Sequence, residues 1–498
     1  MNIKRKGNGI INYCRVLFMT AAAFVYASTC FQATAEIRLP DILGSGMVLQ
    51  ENATVNLWGT AEPGAIVMIR PSWQQEISVS AGKDGKWKTG IKTLEPSYKK
   101  YSITFREKGC KDIILKNILF GEVWLCSGQS NMEMPLNGFI NCPVEESNEA
   151  IADAGNHPGI RFVTIPKTGY TTLQDTVGGK WVESNPDNAQ WFGAAAYFFA
   201  LRLNETLGIP VGIINCSWGG TSLEGWLPEN IVGTYKDMDP GEKLAVTPDS
   251  PGKWDWTTPC VMYNGMLYPL RNYTVKGFVW YQGESNVSRY GNYAGRLYTL
   301  ARLWRSDWKE GDIPFFIVEL PPYSYGSDGT LGARLREAQH KAAETIPNSG
   351  LVCTNDLVYP YEKDQIHPCR KREVGDRIAF MVLNRTYGIK SIACEGPVYK
   401  SMSVMVNKSG KRSMEVFFRN SGNGFSPHTV LEGFEIAGKD KIFHPAKAKV
   451  DTGKESIIVW SDDVPYPVAV RYCFRDFQPG NLKGGRNLPA VPFRTDDW

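Results

Sequence analysis

The sequence predicts an α/β core, a parallel sheet with helices on both faces, flanked by N-terminal and C-terminal all-β, sandwich-like segments. Three observations carry this prediction. Short alternating strand patterns separated by turn signals fill the first part of the chain. From Ile118 onward, fully apolar strand candidates alternate with amphipathic helices, the pattern of strands buried on both faces. From about Ile392 the β pattern returns. With 498 residues the chain exceeds what one hydrophobic core usually serves, so several domains are expected.

The first 35 residues read as a leader rather than as fold. Lys4, Arg5, Lys6 and Arg15 precede an apolar run from Val16 to Ala27, and Ala33-Thr34-Ala35 gives a small-x-small cleavage site. The run is shorter than the roughly 20 residues a membrane span needs. An exported protein beginning at Glu36, periplasmic or extracellular, is the expectation, with lipid attachment at Cys30 the weaker alternative.

Residues 36–117 form the N-terminal β segment, with Thr54–Trp58, Ala65–Ile69 and Tyr101–Phe105 as strands and Glu62-Pro63-Gly64 and Lys83–Lys86 as turns. Residues 118–391 form the α/β segment. Its strands are Val123–Cys126, Val211–Ile214, Phe278–Trp280, Phe315–Val318 and Leu351–Cys353. Its helices run near Ala194–Gly208, Tyr293–Trp308, Leu331–Ile346 and Val374–Leu383. Residues 392–498 form the C-terminal β segment, with strands at Ser403–Val406, Met414–Phe418, Ser456–Trp460 and Ala469–Tyr472.

Composition narrows the function classes. The 55 basic and 51 acidic residues leave a net charge of only +4, and no basic run tracks a phosphate backbone, so nucleic acid is not an expected partner. No further stretch is long and apolar enough to span a bilayer. Two of the 11 cysteines leave with the leader; the others are scattered without a Cys-x-x-Cys pair, which argues against a zinc site and against a disulfide scaffold. The aromatic content, 15 Trp, 22 Tyr and 22 Phe, fits core packing and also suits sugar faces.

The chemistry centres on Trp124-Leu-Cys-Ser-Gly-Gln-Ser130-Asn131-Met132, where an apolar strand breaks into small polar residues. Open α/β sheets bind ligands outside the carboxyl ends of their strands. Ser130 there is either a nucleophile or part of an ordinary turn. A nucleophilic serine needs a base, usually histidine. Of five histidines, His428 and His444 lie in the terminal β segment, His157 precedes a proline before the second strand, and His340 sits on a helix surface. His367 remains, in a loop after the last core strand, with Asp364 three residues earlier to orient its Nδ1. Two further strand ends offer oxyanion donors: the Gly219-Gly220 backbone and the Gln282 amide, beside the Ser130 N–H.

Taken together, Trp124–Met132, Ser217-Trp-Gly-Gly-Thr221, Trp280-Tyr-Gln-Gly-Glu-Ser-Asn286 and Asp364-Gln-Ile-His-Pro368 resemble the blocks of the SGNH-hydrolase superfamily, and most closely its sialate O-acetylesterase family. Leu39-Pro40, Gly46–Gln50 and Trp58-Gly59 resemble that family's opening β domain, and Val470–Tyr472 with Leu488–Trp498 its closing one. The resemblance implies a flavodoxin-like sheet with Ser130 as nucleophile, His367 as base, Asp364 as its partner, and Gly220 (or Gly219), Gln282 and the Ser130 N–H at the oxyanion. It implies no metal and no cofactor. The chain departs from the superfamily in carrying Gln129 before the serine and Gln365 two residues before the histidine. Removal of O-acetyl groups from sialic acid, through an acetyl-enzyme, is the expected reaction. Acetylated xylan is the nearest alternative substrate, and a non-catalytic carbohydrate-binding protein the alternative from another class.

Overall fold

The computed structural model describes residues 36–238, 256–326 and 329–498; the expected leader therefore lies outside the described residues. A single long strand, β1 (Ile113–Gly128), organises the rest. Its last half is buried at every position, and its alternate side chains feed two different cores. Val123 and Leu125 face one, and Trp124 and Cys126 the other. This period of two is what a strand covered on both faces requires.

Around β1 stand β2 (Ile160–Thr164), β3 (Val211–Ser217), β4 (Gly277–Tyr281), β5 (Phe315–Val318) and β6 (Ser349–Val352). Their order across the sheet is β6-β5-β4-β1-β3-β2, all parallel, with the short segment Val182–Glu183 antiparallel at the edge. Helices α1 (Ala194–Leu207) and α4 (Lys371–Arg385) cover one face; α2 (Tyr290–Trp308) and α3 (Leu331–Thr345) cover the other. The parallel α/β core thus matches the fold class read from sequence.

Strand β2 has no counterpart in the sequence prediction. Its apolar residues Ile160, Phe162 and Val163 are interrupted by Arg161, which looks like a surface charge. In the fold Arg161 is almost wholly buried, and its guanidinium donates to the carbonyls of Gly46 and Asn117. The hydrogen bonds replace the water it has lost.

The first half of β1 belongs to the N-terminal β region. It pairs antiparallel with Ser97–Arg106 and parallel with Val48–Gln50. Ser97–Arg106 continues to Ile66–Pro71, and the hairpin-like pair Thr54–Thr60 and Lys86–Lys92 packs into the same core through Val55, Leu57, Trp87 and Ile91. The expected boundary near residue 117 therefore falls inside a continuous strand. At the other end, two four-stranded antiparallel sheets enclose Met414, Val416, Ile436, Ile457, Val459 and Val470. They fasten to α3 through Arg494, whose guanidinium forks onto Glu337 at 2.8 and 3.0 Å. The nine described cysteines are all free thiols. Among the described residues, no helix is long and apolar enough to cross a membrane.

Candidate active site

The ends of β1, β3 and β4 lie level: Gly128 is in register with Ser217 on one side and Tyr281 on the other. The chain leaves β1 through Gly128 at φ +140°, where a Cβ would stand 2.0 Å from the Tyr281 carbonyl oxygen. Only glycine fits that approach. Gln129 then returns a hydrogen bond to the same carbonyl at 3.0 Å, and Trp218 donates to the Gly128 carbonyl at 3.1 Å. These ties fix the backbone on both sides, so Ser130 emerges at the head of the one-turn helix Ser130–Glu133, half-buried, at the carboxyl end of the sheet.

Gly219 and Gly220 form the neighbouring wall. A Cβ at Gly219 would lie 3.3 Å from Ser130 Cβ, so the glycine allows the two segments to touch. Its N–H is already given to Glu133 Oε2 at 2.6 Å, and Lys167 neutralises the other carboxylate oxygen at 2.5 Å. Gly220, at φ +80°, lies against the Trp256 indole, which is half exposed at the rim. Among the described residues, no backbone acceptor takes the Gly220 N–H. Of the two glycines, Gly220 is therefore the one with a donor to offer.

Gln282 does not fill the role expected of it. The side chain is fully buried; Nε2 donates to the Thr221 carbonyl at 3.2 Å and to Asn286 Oδ1 at 2.8 Å, while Oε1 accepts from the Tyr293 hydroxyl at 2.8 Å. Both amide hydrogens are spent inside the protein. Asn286 passes the network on to Glu224, which also binds Arg289 and Arg296. Burial alone would raise the Glu224 carboxyl; Arg289, Asn286 and Arg296 outweigh it and hold it below the usual range. Gln282 is thus part of the scaffold behind the Gly219–Thr221 turn.

His367 reaches the serine side through its neighbours. Asn131 Nδ2 donates to the Ile366 carbonyl at 3.0 Å, which joins the residue after the serine to the residue before the histidine. The imidazole is half-buried with Phe139 packed edge-on at 5.1 Å. Burial, and secondly the charge on Lys371, push its pKa down to about 4, so the ring is neutral over most of the pH range. A neutral imidazole is the form that accepts a proton.

The expected contact between Asp364 and His367 is not formed. Asp364 is exposed, and among the described residues it has neither a hydrogen bond nor an ion pair to the imidazole; Nδ1 instead faces Cys142 Sγ at 3.9 Å. The cause is the turn itself. The Glu362 carboxylate accepts from the Tyr359 and Cys369 N–H groups at 2.8 and 2.9 Å and closes the loop, leaving Asp364 on its outer side. Sequence reading also missed Asn131, Glu133, Cys142 and Lys371. Asn131 and Glu133 stood beside the serine as signals; Cys142 and Lys371 become neighbours only through the fold.

A family model described as carbohydrate esterase, sialic acid-specific acetylesterase matches residues 120–384, which hold all four polar strand ends. The chain belongs to this family. Human sialate O-acetylesterase is 28% identical over 410 residues, 74% of this chain and 75% of the relative. The orangutan (Pongo abelii) sialate O-acetylesterase is 27% identical over 409 residues, with the same coverage. Among solved structures, a carbohydrate acetylesterase from Xanthomonas citri superposes with a TM-score of 0.80 at 31% identity, covering 93% of this chain and 100% of that one. As a member of the sialic acid-specific acetylesterase family, the protein is a carboxylic ester hydrolase. The blocks that cluster at the sheet's carboxyl edge lie within the matched span.

Proposed function

We propose that the protein is an exported serine esterase that removes O-acetyl groups from sialic acid through an acetyl-enzyme intermediate. The observation that carries this reading is the Asn131–Ile366 hydrogen bond at 3.0 Å, which ties the residue after Ser130 to the residue before His367 at the carboxyl edge of the sheet, beside the Gly219-Gly220 turn that lies against Ser130. The sialate O-acetylesterases among its relatives support the choice of sugar.

In this reading His367 Nε2 takes the Ser130 proton as Oγ attacks the acetyl carbonyl. The Ser130 and Gly220 N–H groups receive the developing oxyanion; each such donor is worth about 2.7–4 kcal/mol where one has been removed. The imidazolium then gives its proton to the departing sugar oxygen. A water, deprotonated by the same ring, attacks the acetyl-serine and releases acetate and free Ser130. No metal or cofactor enters these steps. The basic start, apolar run and Ala33-Thr34-Ala35 pattern of residues 1–35 support export, with Glu36 as the new N-terminus.

The test compares acetate release from 9-O-acetyl sialic acid and from acetylated xylo-oligosaccharides by the full mature chain. A higher kcat/KM on the sialic acid is the expected result; preference for the xylo-oligosaccharide by tenfold or more would replace the substrate while keeping the chemistry.

A further inference from the structure

Beneath the serine and histidine lies a cluster of buried polar groups that the acyl-transfer steps do not use. Asn131 is wholly buried and fully engaged: Nδ2 donates to the Ile366 carbonyl at 3.0 Å and to Glu284 Oε1 at 2.5 Å, and Oδ1 accepts from Lys371 Nζ at 2.7 Å. Lys371, the first residue of α4, is also wholly buried. Its ammonium donates a second hydrogen bond to the Pro368 carbonyl at 2.8 Å. The two carbonyls that bracket His367 in sequence, those of residues 366 and 368, are therefore both tied to the residue that follows the serine, one directly and one through the lysine.

A buried ammonium is costly unless it is paired and hydrogen-bonded, and an apolar side chain would fill the same volume without that cost. The charge calls for a purpose that packing does not supply. Serine hydrolases usually orient their base with a carboxylate on Nδ1, and here the Nδ1 side presents the Cys142 thiol instead. We propose that Lys371 is a positioning residue for ester hydrolysis: with Asn131 it clamps the backbone on both sides of His367 and so sets the imidazole against Ser130. The inference rests on Ser130 and His367 being the reacting pair.

The clamp also acts electrostatically. Glu284, Glu362 and the thiols of Cys369 and Cys142 face Lys371, and burial, partly offset by these groups, lowers its pKa to about 8. Lys371 is the charge that bears on His367, while Cys142 approaches its Nδ1 and Asp364, in the same loop, has no hydrogen bond or ion pair to it among the described residues. Loss of the ammonium removes one of the two influences that keep the imidazole from protonating, so the acid limb of activity moves to higher pH.

The experiment measures kcat, KM and the pH profile on a chromogenic acetyl ester for the full mature chain and its Lys371→Met variant, with Ser130→Ala and His367→Ala as references. The inference expects kcat in Lys371→Met to fall about 10²-fold, the order of loss that a displacement of about 1 Å causes. KM changes little, and the acid limb moves up in pH. A folded Lys371→Met variant with kcat within threefold of the parent, or with its acid limb unmoved, overturns it. Should that variant not fold, Asn131→Ser, which removes the tie to Ile366 and frees the lysine, carries the same expectation for kcat and KM, and parental kcat there overturns the inference. Full activity in Ser130→Ala or His367→Ala is a separate result: it defeats the assignment of the reacting pair, whatever Lys371 does.

Discussion

The two sides of the candidate site are held in different ways. On the serine side the backbone itself does the work: Gly128 passes within contact of the Tyr281 carbonyl, Gly219 lies against Ser130, Gln129 donates to the Tyr281 carbonyl and Trp218 donates to that of Gly128. On the histidine side it is side chains that hold the loop's carbonyls and N–H groups: Asn131 from the distant serine segment, Glu362 from within the loop and Lys371 from the start of α4. One side depends on the absence of side chains and the other on their presence. The serine side should thus fail when atoms are added and the histidine side when they are removed.

The largest expected effect lies on the histidine side. His367→Ala should cut kcat/KM on an acetyl ester by about 10³-fold, within the range general bases contribute. With His367 as the proposed base, the neutral imidazole is the form that acts, so activity in the parent should persist well below pH 6.5 and fall as pH approaches about 4. Folding is linked to the same group. Its folded pKa lies below the unfolded value of 6.5, so its contribution to stability is intact above that value and is lost as pH falls from 6.5 toward 4. Urea titrations across that window read the loss.

Next comes an addition on the serine side. Gly220→Ala puts a Cβ 2.6 Å from the Trp256 ring at a φ of +80°, and the shift it forces should cost about 10²-fold in kcat if this N–H serves the oxyanion. Parental kcat in a folded Gly220→Ala would place the donor elsewhere.

Gln282→Ala is expected to act on stability rather than on chemistry. It leaves the Thr221 carbonyl and Asn286 short of a buried partner, a loss of about 1–3 kcal/mol in denaturant unfolding, with kcat changed only a few-fold. The smallest effect is expected at Asp364, which is exposed. Asp364→Asn should leave stability within about 0.5 kcal/mol, as surface changes do, and turnover within about threefold. A drop near 10⁴-fold, the size seen when a triad carboxylate is lost, would mean that Asp364 swings onto Nδ1 when substrate binds.

The same contrast explains what could be read before the fold was known. Apolar runs ending in small polar residues expose Ser130, Gly219 and Gly220 because a strand end is a local pattern, and elimination among five histidines isolates His367. Gln282 misled because a polar side chain at a strand end reads alike whether it points to solvent or into the scaffold. Arg161 hid β2 for a related reason: charge in sequence does not reveal burial. Lys371 and Asn131, 240 positions apart, meet only through the packing of α4 on the sheet, and no spacing rule anticipates that. Asp364 shows the converse: a spacing of three residues permits a contact that the Glu362-closed turn does not form.

Whether Ser130 attacks the ester is decided by covalent labelling. The protein is treated with a serine-directed fluorophosphonate at neutral pH and digested, and the modified peptide is sequenced. One label is expected, on Ser130, appearing in step with loss of esterase activity and absent from Ser130→Ala. Labelling of another residue that tracks the inactivation, with Ser130 unmodified, would contradict it.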